Sequence, residues 1–445
     1  MAFSNNLEPS SPPLVFTVHR KEPELVAPAT PTPHEIKQLS DIDAQSGIHV
    51  NIPVIQFYSN DPSNEGKDPV KTIRDALSRA LVPYYPLAGR VREGSGGKLL
   101  VDCNEEGVMF IEADADVTLE QFGELKSPFP CFEELLYEAP GSEGVINSPI
   151  LLIQVTRLKC GGFSFALSFN HTMTDGGGVI LFMYTLAQIA AGHEPSLPPP
   201  VWRRELLIAR DPPQVTQSHH EYEQLTDTSN VVPTDFTQHS FFFGPAQIDT
   251  IRRLLPNHIS QSSSTFEVLT SYIWRCRTKA LQLDPEEDVR MLCVTNTRDK
   301  FNPPLPVGYY GNCFALAAAV TTAGKLTTEP LEYALDLIKN AIGKINDEYM
   351  HSLADLMVTK GFPLFTIVNS ILVLDTTEAG FRDVDFGWGK ALYGGIAKAG
   401  AGAFPSVNFH VPYKNSEGVE GILVLVSLPS PIMKIFAKEL DDMLN

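Results

Sequence analysis

Phe163-Ser-Phe-Ala-Leu-Ser-Phe-Asn170, running into His171-Thr172-Met173-Thr174-Asp175-Gly176, is the stretch on which both fold and chemistry turn. Apolar residues alternate at Phe163, Phe165, Leu167 and Phe169, the period of a half-buried strand. After Gly176-Gly177-Gly178, the apolar run Val179 to Ala190 predicts a helix stopped by Gly192. Strand, glycine turn and helix together predict α/β architecture. A histidine at a strand end is well placed to take a proton where glycines such as Gly176 let another molecule approach the backbone.

The H-x-x-x-D spacing is weak without that context. His351 and Asp355 repeat it inside Leu331 to Leu356, where the apolar spacing predicts one helix. At i and i+4 the two share a helix face and read as a solvated or locally paired couple.

Working outward, Ile150 to Leu158 and Phe163 to Phe169 form a hairpin around Lys159-Cys-Gly-Gly162. Leu14 to Val18 and His49 to Tyr58 read as strands, joined by a proline-rich connector. Asp68 to Leu81 is amphipathic, and Pro83 bars its continuation. Leu197 to Gln238 is polar and proline-punctuated, a crossover between halves. Beyond it, Ser264-Thr-Phe-Glu267 has the form of a capping box opening a helix through Lys279. Arg290 to Asn296, Cys313 to Val320 and Ile422 to Ser427 read as strands. The expected domains are 1–200, with a linker at 201–240, and 241–445. A chain of 445 residues exceeds what one core usually supports.

Composition narrows the classes. Apolar content of 43% and charged content of 20% suit a globular enzyme. A formal charge of −19 argues against a nucleic-acid partner, which needs a basic surface. No run reaches 18 apolar residues, so no membrane span is expected. Met1 to Pro13 lacks a secretory pattern, and Asp442-Met-Leu-Asn445 is not the standard peroxisomal S-K-L signal, leaving the cytosol as the default. Cys103, Cys131, Cys160, Cys276, Cys293 and Cys313 show no C-x-x-C spacing, which suits reduced thiols rather than a metal site. No P-loop or dinucleotide fingerprint is present.

A second feature lies far downstream, Asp385-Phe386-Gly387-Trp388-Gly389, before the glycine-rich segment Gly394 to Gly402. Trp and Asp between glycines suggest a backbone in an unusual conformation, with Gly387 at its centre and one indole donor aimed at a partner. Taken alone, the motif also fits a plain turn with a core tryptophan.

The two motifs, in this order and separation, resemble the plant BAHD acyl-CoA-dependent acyltransferase family. The resemblance extends to Leu81-Val-Pro-Tyr-Tyr-Pro-Leu-Ala-Gly-Arg90, Asn296-Thr-Arg298 and Tyr309-Tyr-Gly-Asn312. Within the family it points to alcohol acyltransferases of the benzyl alcohol benzoyltransferase type, through Met109 to Asp116, Arg204-Glu-Leu-Leu207 and Ala209 to Pro213. It implies two similarly sized mixed-sheet α/β domains, chloramphenicol acetyltransferase-like, with the active site in a channel between them. A segment near 386–410 then completes the first domain. It implies a monomer, acyl-CoA as co-substrate, and no permanently bound cofactor.

An alcohol is a weak nucleophile, and a neutral imidazole of reference pKa about 6.5 suits removal of its proton. By resemblance His171 is that base, returning the proton to the CoA thiolate. Trp388, a donor only, is expected beside the reacting centre as oxyanion donor, and the transferase reading is tied to that nearness. Asp385 is named with the family's active-site residues, although physically it reads as fixing the Gly387 turn. Asp175 is expected to pair with Arg298 and hold the loop. Polyanionic CoA needs a locally basic or N-terminal helix site, for which Ser264, Thr265 and Lys390 are candidates. Phe365 to Phe381 carries no arginine, which argues for a neutral hydrophobic acceptor such as benzyl alcohol, although Arg382 lies close by. Benzoyl-CoA and acetyl-CoA remain open as donors. Alternatives are an N-acyltransferase, a non-catalytic acyl-CoA-binding protein, and a condensation-type domain, which would carry a second histidine where Asn170 stands.

Overall fold

A computed structural model describes Phe3 and residues 14–129, 132–223, 236–399 and 406–444. Cys131, Gly400 and Gly402, singled out above, lie outside the described residues, as do most of Met1 to Pro13 and Asn445.

The first half contains β1 (Val18–Arg20), β2 (Glu24–Val26), β3 (Ile36–Gln38) and β4 (Asn51–Tyr58). Helix α1 (Pro69–Ala80) leads to β5 (Arg90–Glu93), β6 (Leu99–Asp102) and β7 (Val108–Ala115). Then come α2 (Phe132–Leu135), β8 (Leu151–Leu158), β9 (Phe163–Asn170) and α3 (Gly176–Ala190). The second half opens with β10 (Phe236–Phe243), α4 (Pro245–Arg252), α5 (Asn257–Ser262) and α6 (Thr265–Leu281). It continues through β11 (Asp288–Asn296), β12 (Phe314–Thr322), α7 (Ala323–Thr328), α8 (Leu331–Gly343) and α9 (Asp347–Lys360). It closes with β13 (Ser370–Asp375), β14 (Tyr393–Ile396), β15 (Val407–Lys414), β16 (Glu420–Pro429) and α10 (Ser430–Leu444).

Two large mixed sheets dominate, so the fold is mixed α/β with two sheet-rich domains. The first runs β1-β7-β8-β9-β4-β14 with β2 also on β7, and the second runs β10-β16-β15-β13-β11-β12. A small third sheet joins β3, β6 and β5. Strand β14 comes from the second half of the chain yet pairs with β4, Tyr393 opposite Phe57 and Ile396 opposite Val54. This exchange ties the halves together at the edge of the first sheet.

Local chemistry explains the elements. Asp68 caps α1 by accepting from the Val70 N–H, Pro69 occupies its first turn, and Val70, Ile73, Ala76 and Leu77 face inward. Helix α3 is apolar on nearly every side and is correspondingly buried. Ser264 and Glu267 form the reciprocal capping box of α6.

Three sequence expectations need correction. Leu331 to Leu356 is two helices, because Asn346 accepts from Tyr349 N–H and starts α9 as a new cap after α8 ends at Gly343. Only Val18–Arg20 of the first strand pairs with β7, since the Asp116 carboxylate takes the Thr17 N–H at 2.7 Å. The second half's strands begin at Phe236, inside the segment read as crossover.

Candidate active site

His171 leaves the end of β9 where its N–H bonds Val50 O, and the chain turns at once into α3. The half-buried ring borders a cavity of about 510 Å³ between the two large sheets. The first half supplies Ile48, Val50, Ile52 and Phe169, and the second Val294, Phe314, Leu316, Phe365, Leu372 and Phe409. Gly176 and Gly177 form part of the wall. At Gly177 a Cβ would sit 2.9 Å from Arg298 Nη1, and at Gly178 2.1 Å from Tyr310 O, so side chains there would push the halves apart.

Asp175 does not face His171. It makes a two-pronged pair with Arg298 (2.7 and 2.9 Å), caps α3 through Gly178 N–H, and accepts Cys313 N–H at 2.9 Å. Burial opposes its ionisation, but Arg298 and those N–H groups hold its carboxyl below the ordinary value. The partner of the imidazole is Asn312, whose Oδ1 lies 3.0 Å from Nδ1. An amide oxygen only accepts, so Nδ1 carries the proton and Nε2 is left as the basic nitrogen. Burial pushes the His171 pKa below its ordinary value, which keeps the ring neutral near pH 7. Asn312 was quoted above only as part of a resemblance, and nothing local announces a bond across 141 residues.

Trp388 is elsewhere, which overturns its assignment as oxyanion donor. Its ring meets Phe163 edge-on at 5.5 Å, at the start of β9, while His171 follows the strand's other end. At about 3.3 Å per residue the two are separated by roughly 25 Å, far beyond a hydrogen bond. Asp385 is likewise away from the base. Its Oδ1 accepts the N–H groups of Gly387 (2.7 Å) and Gly389 (2.9 Å) and holds the turn in which Gly387 has φ +100°. Around that turn Tyr58 Oη donates to Val384 O, and Asn64 Nδ2 to Gly387 O. The motif thus docks the second half's returning segment onto the first sheet, beside β14.

The proposed CoA contacts are not in the cavity lining either. Ser264 is engaged in its own helix cap, Thr265 Oγ1 receives Arg252 Nη2 at 3.2 Å, and exposed Lys390 pairs with Asp383 at 2.7 Å. Asp355, expected to be solvated or paired with His351, is buried and bound by Arg210 at 2.6 Å. Among the described residues no His, Cys, Asp and Glu cluster could hold a metal, and no helix is long and apolar enough to cross a membrane.

One cluster mimics a nucleophilic triad. His219 Nδ1 lies 3.1 Å from Glu221 and Nε2 2.9 Å from Ser352 Oγ. All three are buried, and the serine oxygen already accepts the N–H groups of Thr216 and Gln217. It fastens the crossover to α9.

Comparisons agree with this architecture. The Transferase family profile matches residues 16–443. A benzyl alcohol O-benzoyltransferase of Nicotiana tabacum is 58% identical over 436 residues, covering 97% of this chain and 95% of that protein. A 13-hydroxylupanine O-tigloyltransferase of Lupinus albus is 54% identical over 444 residues, covering 98% and 97%. In fold, the crystal structure of vinorine synthase matches with a TM-score of 0.74 at 22% identity, over 94% of this chain and 96% of that one. F. graminearum TRI101 complexed with coenzyme A and deoxynivalenol gives 0.66 at 16% identity, over 90% and 96%. The chain therefore belongs to the Transferase (BAHD) family and is an acyltransferase, a conclusion that rests on these matches and not on the expected nearness of Trp388 to His171.

Proposed function

We propose that this acyltransferase moves the acyl group of a CoA thioester directly onto the hydroxyl of a neutral, hydrophobic alcohol, with His171 as general base. The carrying observation is the His171 imidazole with Nδ1 engaged by Asn312, set in the wall of a largely apolar cavity shared by both halves. As the hydroxyl oxygen attacks the thioester carbon, Nε2 takes its proton. The C–S bond then breaks, and the same proton passes to the departing thiolate. No acyl-enzyme is required, and burial raises the pKa of neighbouring Cys313 to about 12, far from a thiolate nucleophile.

The lining favours an uncharged acceptor. Its one Lys or Arg among the described residues is Arg298, already committed to Asp175, so a substrate carboxylate would be buried without a partner. Arg382 does not line the cavity. Relatives named as a benzyl alcohol O-benzoyltransferase and as alcohol acyltransferases support an alcohol acceptor, with benzoyl-CoA and acetyl-CoA as donors to try first. For the CoA phosphates, the start of α6 with Arg252 beside it is the preferred contact among Ser264, Thr265 and Lys390.

A panel of acyl-CoAs against alcohols and matched amines, with products detected by mass, tests the reading. Ester formation with benzyl or medium-chain alcohols is expected. Amide products dominating in direct competition would replace it with an N-acyltransferase.

A further inference from the structure

Asn312 is held by more than the base it touches. Its Nδ2 donates to Asp43 Oδ1 at 2.8 Å and to the carbonyl oxygen of His171 at 2.7 Å, and its backbone N–H also reaches Asp43 Oδ1 at 3.1 Å. Turning the amide over would set its oxygen against two buried acceptors with no hydrogen between them, and buried polar groups rarely tolerate that. The amide is therefore held in one orientation, with Oδ1 toward the imidazole.

Asp43 is buried, and its own oxygens are ringed by donors. Oδ2 accepts Ser40 N–H at 2.9 Å and Ser40 Oγ–H at 2.7 Å, while the buried Arg204 guanidinium lies 3.5 Å away. Both oxygens must accept, which a carboxylate does and an amide cannot, since one end would face donor against donor. Arg204 also donates to Met173 O at 2.7 Å, inside the histidine turn. Gly311 makes room for it, because a Cβ there would sit 1.0 Å from Arg204 Nη1.

We propose that Asp43 is a positioning residue for acyl transfer, acting through the Asn312 amide to keep the His171 proton on Nδ1 and present the Nε2 lone pair to the hydroxyl. The relay is carboxylate, amide, imidazole, drawn from three distant parts of the chain, and it rests on His171 being the base.

The test is nitrogen NMR of the full-length enzyme carrying 15N-histidine, with the His171 signals assigned by their loss in His171→Ala. The wild-type ring is expected as the neutral Nδ1–H tautomer. Asp43→Asn is expected to convert it wholly or partly to Nε2–H and to lower kcat about 10–100-fold, the scale known for outer partners that orient metal-bound histidines, with KM little changed. A wild-type Nε2–H tautomer overturns the inference, as does a folded Asp43→Asn that keeps either the tautomer or the turnover of wild type. Should Asp43→Asn not fold, Asn312→Ala takes its place and must release the tautomer; an unchanged ring there also overturns it. The base reading fails separately, through a His171→Ala enzyme that still turns over.

Discussion

Strand β9 carries different work at its two ends. At Asn170 it hands the chain to His171, which enters a cavity between the sheets with one nitrogen committed to Asn312. At Phe163 it stacks on Tyr58 at 4.7 Å and meets Trp388, where the returning segment of the second half is fastened. Both ends are conspicuous in sequence, because both combine glycines with a polar or aromatic residue. The first end borders a cavity of about 510 Å³, and the lining of that cavity includes neither Phe163 nor Trp388. The second resembles a site because a sharp turn demands glycine and an anchoring carboxylate, and a docking segment demands a large aromatic. Residue types alone do not separate chemistry from joinery.

The sharpest way to break this contrast is at the chemical end. His171→Ala is expected to lower kcat by roughly 10²–10⁴, the contribution of a positioned general base, with melting unchanged. A mutant that keeps more than about a tenth of the wild-type rate would contradict that contribution. At the loop that supports the base, Arg298→Ala leaves the buried Asp175 carboxylate without its counter-charge and is expected to cost ~3–5 kcal/mol of stability. Chemical denaturation measures that loss, and normal stability with lost turnover would give Arg298 a direct catalytic part instead.

At the docking end, Trp388→Ala is expected to cost about 3–5 kcal/mol, as truncation of a buried aromatic does, and Trp388→Phe considerably less. The rate per folded Trp388→Phe molecule should match wild type. A rate deficit comparable to that of His171→Ala, with melting intact, would make the two ends one site. The smallest expected effect is on pH dependence. Burial disfavours the charged imidazole, so its pKa in the folded enzyme lies below the ordinary value. The base form should persist as pH falls through about 6.5, and kcat/KM should decline only below it. An acid limb centred at or above pH 7 would show a ring stabilised in its charged form, against the geometry.

Much of the framework was legible before any coordinates. Asp68, Pro69 and the apolar spacing of Val70, Ile73 and Leu77 are local instructions for a helix start and its buried face, and α1 follows them. The hairpin of β8 and β9 pairs Leu151 with Phe169 through Arg157 with Phe163, as the alternation required. The capping box of α6 was readable for the same reason. The caps involve residues within one turn of each other and the hairpin strands are joined by a short turn, so the sequence brings the partners together by itself. The break between α8 and α9 was missed because hydrophobic period ran across it and outweighed the Asn346 cap.

The site was legible in part. His171 could be named because strand, turn and glycines surround it in sequence. Its orienting partner could not, since Asn312 lies 141 residues after it and Asp43 stands 269 residues before Asn312. A buried aspartate such as Asp43 carries no local mark distinguishing it from a solvated one.

By itself the chain determined its helices, strands, glycine turns and family resemblance, because caps and periodicity act over a few residues and survive without the rest of the molecule. Tertiary structure alone decided that Trp388 sits at the far end of β9 and that an amide rather than a carboxylate meets the histidine. Those outcomes depend on strand register and on which faces of the two halves are pressed together, and neither is encoded within any one segment.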